Sequence, residues 1–387
     1  MKLTKLSLAM VACASVMAGA AQAAGPTVSD VLGNSGISES GYIDAAYTYM
    51  DSLIPATNGS FGQSPVNAFD GRVGSTFNIK QAAIQLAKQP ASGFGGLVNI
   101  TMGSDADVIK STPYTSGAGT SAGFDLTQAF VQYTSGAMTV QGGKFSTLAS
   151  AEVIAPSGNT NITRSIEFFQ VPYTHTGVRT TYAASSTLTL YGGLNNGWDQ
   201  QLDTNRDKTL ELGMAWAPSA TFGWTLQAYY GPEVVGTMMN SQRTLIDTVL
   251  TFKPTSALTL ILNGDMGKQE KASNITPGDD ATWSAVVGYV NYQWTDKLRT
   301  SLRAENFSDN DTYKLAIGEV GSCATTCVPS KRMSEVTLTV GYAPDPSFEL
   351  RGEVRDDKAD KKVFAKFDGS TATDTSMTVA VEGLYKF

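Results

Sequence analysis

Two stretches near the end of the chain carry charged side chains at a spacing that could act on a solute. Arg299 and Arg303 lie in one stretch, and Arg351, Glu353 and Arg355 lie in the other. Residues two or four positions apart share one face of a β-strand, so each set would form a row of charges. Such rows could pair across strands and fix their register, or create a transverse field that orients polar solutes. Both interpretations stay open at this point.

Catalytic chemistry has little support in the residue types. The chain contains a single histidine, His175, and a serine–histidine mechanism would need an oriented partner for it. The residue pattern puts His175 on the same strand face as Arg179. A Walker loop, an HExxH motif and a paired-cysteine zinc spacing are all missing from the sequence. We therefore predict no enzymatic activity, no cofactor and no metal site.

A pair of cysteines lies between two predicted strands. Cys323 and Cys327 are separated by three residues. In an exported protein this spacing predicts a disulfide that closes a small loop. A metal site is the alternative, but no histidine lies nearby and only these two thiols are available.

The start of the chain is typical of a secretory signal. Two lysines precede the apolar run Leu6–Val16, and Ala21-Gln22-Ala23 matches the A-x-A cleavage site. We predict that residues 1–23 are a signal peptide and that residues 24–40 form a periplasmic lead-in. A net charge of −7 gives no basic footprint for nucleic acid. No later run approaches the roughly 18 apolar residues of a spanning helix.

The terminal stretch Met377–Phe387 shows what kind of element positions the charges. Apolar residues alternate with charged or hydroxyl residues throughout it, and it ends on the aromatic Phe387. This period of two indicates a strand with one apolar face. Its length fits the ~9–11 residues with which a tilted strand crosses a bilayer. An aromatic end fits the girdle at a membrane interface.

The same design recurs along the mature chain, with short Pro/Asp/Ser/Gly turns alternating with long polar loops. An even number of strands joined in this way is typical of an outer-membrane barrel with both termini in the periplasm. We therefore predict an all-β fold over residues 41–387, a transmembrane antiparallel up-and-down β-barrel of about 16 strands. The predicted strands are 41–50, 77–88, 94–103, 124–133, 137–145, 173–183, 187–195, 208–217, 222–230, 243–253, 258–267, 283–294, 298–308, 334–343, 348–355 and 377–387.

Two details refine this prediction. The alternation changes phase within 77–88, which predicts a β-bulge there. Hairpins also end on an aromatic just before their short turns, which predicts a periplasmic girdle. These aromatics are Tyr133, Trp216, Phe252, Trp294 and Tyr342.

The polar face of the strands is predicted to point into a watery lumen. A charge on the lipid face would cost roughly 2–4 kcal/mol near the midplane, and a barrel of ~16–18 strands leaves an aqueous channel unless something plugs it. The candidates for lining this channel are Arg179, Glu211, Asp247, Asp265, Arg299, Arg303, Glu335, Arg351, Glu353 and Arg355.

Loop 146–172, the third outer loop, is the candidate constriction. It combines Glu152, Arg164 and Glu167 with two adjacent phenylalanines, a mixture unusual for a solvated loop. We predict that it folds into the lumen and narrows it. The alternative is that its apolar residues cover the outer rim.

Several motifs give the chain a resemblance to a known family. They are Gly41–Tyr47, Phe130–Tyr133, Gly143–Phe145, Glu152, Asn161–Ser165 and Pro172–Val178. On these residues the chain resembles the OmpL-like β-barrel porin family (outer-membrane β-barrel porin 2). The resemblance implies an outer-membrane diffusion channel and carries over no catalytic residues. The family's Glu-rich start of the second strand reads Lys80-Gln81 here.

The pattern and the resemblance together predict an outer-membrane porin, a passive channel for small hydrophilic solutes or ions. The alternative is a barrel that binds at the cell surface, such as an adhesin, without transport. Expected partners are outer-membrane lipid and the solute; assembly as a homotrimer stays open, because lipid-facing and subunit-facing residues look alike in one sequence.

Overall fold

The structure is a computed structural model. It describes residues 33, 35–54, 75–111, 123–203, 205–235, 238–317, 329–367 and 371–387. The predicted signal peptide and the pair Cys323 and Cys327 lie outside the described residues. No helix in the described part of the chain is long and apolar enough to span a bilayer.

Sixteen strands close into one antiparallel barrel, as predicted, and each strand pairs with the next along the chain. In chain order they are β1 Ser38–Met50, β2 Ser75–Lys88, β3 Gly93–Met102, β4 Phe124–Ser135, β5 Met138–Ser146, β6 Thr174–Ala183, β7 Leu188–Asn195, β8 Thr209–Ser219, β9 Phe222–Val235, β10 Met238–Phe252, β11 Leu258–Gln269, β12 Ala281–Gln293, β13 Leu298–Asp309, β14 Arg332–Asp345, β15 Phe348–Ala359 and β16 Thr375–Lys386.

The barrel closes where β1 meets β16. Their register runs from Tyr42 opposite Lys386 to Met50 opposite Thr378. Beyond it, the backbones of Gly41 and Phe387 exchange two hydrogen bonds of 2.9 and 3.0 Å. The last residue of the chain therefore completes the seam, and no strand edge is left unpaired there.

Alternation of side chains gives the barrel its two surfaces. On β16, Val381 is 49% exposed on the outside, whereas its neighbour Glu382 is fully buried on the inside. The five aromatics that precede short turns are all exposed on the outer surface. They lie at the end of the barrel that carries the short turns, which is the arrangement of an interfacial girdle.

The phase change in β2 is a β-bulge, as predicted. Asp44 of β1 pairs with Gln81, and the next residue, Ala45, pairs with Ile79. Lys80 is therefore the extra residue, and a bulge lets two adjacent side chains share a face. Lys80 and Gln81 are both buried on the inside of the barrel.

One predicted loop is instead a continuation of two strands. β9 and β10 go on pairing as far as Val235 and Met238, beyond the predicted strands 222–230 and 243–253. Strands can extend past the bilayer because their backbone groups satisfy one another in the ladder. At the same end of the barrel, a short helix α1 covers Ala106–Ile109.

Candidate functional site: the segment inside the barrel

The connection between β5 and β6 lies inside the barrel. We call residues Thr147–Tyr173 the inner segment. It contains two single-turn 3-10 helices, Pro156–Gly158 and Glu167–Phe169, and its apolar side chains Ile166 and Phe168 are buried. Its partners are inward-facing side chains on strands far apart around the wall, so it crosses the lumen rather than covering the rim.

The beginning of the inner segment is held by β9, β10 and β11. The backbone N–H of Leu148 donates to the Tyr229 hydroxyl at 3.2 Å. Asp247 accepts the N–H of Ser150 at 3.0 Å, and the backbone N–H of the following residue, Ala151, donates to the side-chain oxygen of Asn263. Side chains thus take the place of a neighbouring strand for this stretch of backbone.

Two glutamates farther around the wall hold the middle of the segment by its amides. The carboxylate of Glu353 on β15 accepts the N–H groups of Ile162 and Thr163 at 2.6 and 2.9 Å. Glu305 on β13 accepts those of Ile166 and Glu167, both at 2.7 Å. Such charge-assisted bonds are about twice as strong as neutral ones. Each pair of amides is therefore clamped by one carboxylate.

The arginines of the same wall hold the segment by its carbonyls. Four guanidinium groups on β13 and β15 each donate to a different backbone oxygen of the inner segment. The bonds are Arg299 to Thr160 at 2.8 Å, Arg303 to Thr163 at 2.7 Å, Arg351 to Pro156 at 3.2 Å and Arg355 to Arg164 at 2.6 Å.

The same arginines also form ion pairs. Arg303 contacts Glu335 across the strands at 2.5 Å and Glu152 of the inner segment at 2.7 Å. Arg351 pairs with Glu349 at 2.9 Å and with Glu382 at 3.2 Å. A buried charge is tolerated only when it is paired and hydrogen-bonded in this way. These side chains build the wall and anchor the segment, and the open lumen gains little of their charge.

The three predicted constriction residues, Glu152, Arg164 and Glu167, all lie in the inner segment. Their side chains bond to the segment itself and to the wall. Besides Arg303, Glu152 accepts the N–H of Ser165 at 2.8 Å. Arg164 donates to the Ile154 carbonyl of its own segment at 2.9 Å. Burial, followed by the negative charges of Asp265 and Asp247, raises the pKa of Glu167 well above its usual range.

The remaining predicted lining residues lie on the inner side of the barrel. Arg179 of β6 reaches Glu211 of β8 at 2.8 Å, passing over Gly193 of β7, where a Cβ would stand 3.1 Å from the Glu211 carboxylate. Asp247 and Asp265 face each other across β10 and β11. All four charged side chains are buried.

His175 also faces inward and is fully buried. Its Nδ1 lies 3.3 Å from the carbonyl of Gly197, and its ring stacks on Tyr229 at a centroid distance of 4.8 Å. These neighbours hold the ring in the wall.

A cluster at the long-loop end was not predicted from the sequence. Lys314 lies with its ammonium 4.7 Å from the ring centre of Trp198 and 4.6 Å from that of Trp283, and Arg243 contacts the Trp198 ring as well. Burial, followed by the positive charge of Arg243, lowers the pKa of Lys314 to about 7. Its members come from two loops and two strands. No local spacing in the sequence could have joined them.

A cavity of about 440 Å³ remains between the inner segment and the wall formed by β1 to β5. It lies toward the end of the barrel with the short turns, because Lys386 and Phe387 line it. Among its lining residues, the charged ones are Glu152, which is engaged by Arg303, and Lys386. This cavity is therefore bordered mainly by uncharged groups.

Comparison with known proteins identifies the family. Residues 36–387 match the family model described as "Putative beta-barrel porin-2, OmpL-like". The chain belongs to this family. This OmpL-like porin is accordingly an outer-membrane protein that crosses the membrane with its sixteen strands. A comparison with curated protein sequences finds no match.

Several solved structures are similar to this OmpL-like porin. They include the outer membrane channel DcaP of Acinetobacter baumannii, at 13% identity and a TM-score of 0.57 over 91% of this chain and 97% of that chain. An anion-selective porin from Comamonas acidovorans matches at 10% identity and a TM-score of 0.59, over 91% of this chain and 99% of that chain. The trimer form of OmpT from Vibrio cholerae matches at 9% identity and a TM-score of 0.56, over 91% of this chain and 99% of that chain. These likenesses establish the shared fold.

Proposed function

We propose that this protein is a passive porin for small hydrophilic solutes or ions, in which the inner segment constricts the lumen. The observation that carries the proposal is the position of the inner segment: backbone bonds to Asp247, Glu305 and Glu353 fix it to separate parts of the wall. A barrel of ~16–18 strands is otherwise wide enough for an aqueous channel. A fixed segment inside it would set the size limit for solutes.

Single-channel conductance in planar lipid bilayers tests the proposal. The wild-type protein should form stable open channels, and deletion of residues 150–170 should raise the conductance, because the lumen loses most of its obstruction. Deletion of residues 274–278 from an outer loop is the matched control and should leave the conductance unchanged. A milder variant, Glu353→Gln, keeps the segment but weakens its clamp and should increase current noise.

Two results would overturn the proposal. If the wild-type protein forms no channels, the barrel is closed by its inner segment and the alternative, a surface-binding barrel, is favoured. If channels form but the deletion leaves their conductance unchanged, the inner segment is not the constriction.

We propose further that the barrel assembles as a homotrimer and has no enzymatic activity. The trimer form of the similar Vibrio cholerae protein supports the first point. For the second, the family consists of channel proteins, and the ring of His175 is held by stacking and by a carbonyl contact. Chemical crosslinking in native detergent should give a trimer band. An outer-membrane enzyme that used His175 would lose its activity on His175→Ala, whereas the conductance should be unaffected.

A further inference from the structure

Four neighbouring strands present uncharged polar side chains at one level of the lumen. The register places Ser40 of β1 opposite Gln85 of β2, Gln85 opposite Asn99 of β3, and Asn99 opposite Gln128 of β4. Directly opposed residues stand about 4.5–5.5 Å apart, so these side chains form a continuous row. We call these four residues the amide row.

The amide row lines the 440 Å³ cavity below the inner segment. A cavity of 300–1,000 Å³ is the usual size for a small-molecule site. Thr127, the extra residue of a second β-bulge, lines the same place, with its hydroxyl donating to Thr101 at 2.7 Å. Ser146, the last residue of β5, and Thr147 of the inner segment add two more hydroxyl groups. The row therefore borders a space large enough for a small solute.

Most hydrogen-bond donors and acceptors of the amide row remain available to such a solute. Gln85 and Asn99 are half-buried, and the only hydrogen bond that either side chain forms within the described residues is a long one of 3.4 Å from Asn99 to the Ile84 carbonyl. An amide side chain carries two donors and acceptor sites for two more bonds. Gln128 uses its oxygen to hold the N–H of Ser146, which leaves its own donors.

Charge is almost absent from this surface. Glu152 reaches the cavity but is neutralised by Arg303, and Lys386 lies at the rim, exposed. An ion would leave its hydration shell here without receiving a countercharge. A neutral polar solute would exchange water for amide and hydroxyl partners at little cost.

Aromatic rings complete the lining. Tyr42 is the next inward-facing residue after Ser40 on β1, with the small Ala83 opposite it, and its hydroxyl donates to Gln81 at 2.8 Å. Phe168 and Tyr173 contact each other at 5.4 Å on the inner segment and also line the cavity. Apolar ring faces beside amides and hydroxyls suit a molecule with C–H faces and a rim of hydroxyl groups.

We infer that the amide row is a subsite for neutral polyhydroxylated solutes, that is, sugars and related polyols, in preference to ions. This inference names the solute class of the proposed porin and rests on that proposal for its physiological meaning. The site itself is an equilibrium property of the folded barrel and can be measured without transport.

Three probes of the same ring size separate charge from shape: glucose, glucuronate and glucosamine. In liposome swelling with the wild-type protein, glucose should enter at least about threefold faster than either charged analogue. In detergent, saturation-transfer NMR should detect contact of the protein with glucose ring protons. Equal swelling rates for the three probes together with no transfer to glucose would overturn the inference.

Isosteric variants locate the site. Gln85→Glu with Asn99→Asp keeps the shape of the row but adds carboxylates. In this variant glucosamine should enter faster than glucose, and about fivefold faster than glucuronate, because a ring of carboxylates attracts cations. Gln89→Glu adds one carboxylate at an exposed turn outside the cavity lining, and glucose should still enter faster than either charged probe. If both variants behave alike, the row does not set the preference.

The outcomes distinguish this inference from the proposed function. Channels that conduct ions, admit the three probes equally and show no saturation transfer to glucose would retain the porin and overturn the sugar subsite. A barrel that forms no channels but shows saturation transfer to glucose, lost in Gln85→Leu with Asn99→Leu, would overturn the porin and retain the subsite.

Discussion

Two parts of the lumen wall differ in how their polar side chains are used. The wall from β13 to β15 carries arginines and carboxylates, and nearly all of them are bonded to each other or to the inner segment. The wall from β1 to β4 also bonds to the inner segment, through Lys80 and Gln81, but at one level it carries the amide row, which has few bonds of its own. In this barrel, the strongest charges serve the architecture, and the uncharged side chains face the space that a solute could use.

Free energy explains the division. Burying an ion costs several kcal/mol, and the cost is recovered only through complete pairing and hydrogen bonding. The N–H donors and the charge of an arginine that anchors a backbone segment are therefore already paired, and few of them can interact with a passing solute. An uncharged amide can exchange one hydrogen-bond partner for another at a small cost in free energy, because each of its bonds contributes only about 0.5–1.5 kcal/mol.

The largest expected effect comes from breaking the charged wall. Arg303→Met should destabilise the protein by about 3–5 kcal/mol, because it leaves Glu152 and Glu335 as buried charges without their common partner. The measurement is the urea midpoint of unfolding in detergent, followed by tryptophan fluorescence. Lys268→Met removes a cation from the exposed pair with Asp280 and is the matched control. If the two variants unfold at the same midpoint, the charged wall does not anchor the segment.

A smaller effect should appear in the pH dependence of stability. The folded protein keeps the proton of Glu167 to a higher pH than the unfolded chain, because the pKa of Glu167 is raised by burial and by nearby aspartates. The free energy of unfolding from this group is therefore fully present at acidic pH and falls as the pH rises through the raised pKa. Glu167→Gln should remove that decline. Denaturant unfolding at a series of pH values measures it, and parallel curves for variant and wild type would contradict the assignment.

The smallest effect on stability should come from the amide wall. Asn99→Ala should change the free energy of unfolding by no more than about 0.5 kcal/mol, because the side chain is half-buried and weakly bonded. The same substitution should nevertheless slow glucose entry in liposome swelling. A loss of stability comparable to that of Arg303→Met would show that the two walls do not differ in the way described.

Local sequence was sufficient for the barrel. Alternation of apolar and polar residues fixed sixteen strands and their inward faces, since a strand has only two sides and one of them meets lipid. Even the bulge at Lys80 left a readable phase change in β2. The extension of β9 and β10 was missed, because their added residues pair beyond the bilayer, where the apolar alternation is no longer required.

The bonds of the inner segment could not be foreseen in the same way. Ile162 and Glu353 are 191 residues apart in the chain, and no periodic signal connects a loop to a strand at that distance. The sequence pointed to Glu152, Arg164 and Glu167 as candidates for the constriction. In the structure their side chains are bonded to the segment itself and to the wall.

The sequence by itself determined a closed barrel in the outer membrane, because the hydrocarbon selects every second side chain without regard to distant parts of the chain. Only the tertiary structure decided which polar residues are consumed by architecture and which are left beside the cavity. That choice depends on where one long connection comes to rest, and its partners are brought together by the closure of the barrel, not by their spacing in the chain.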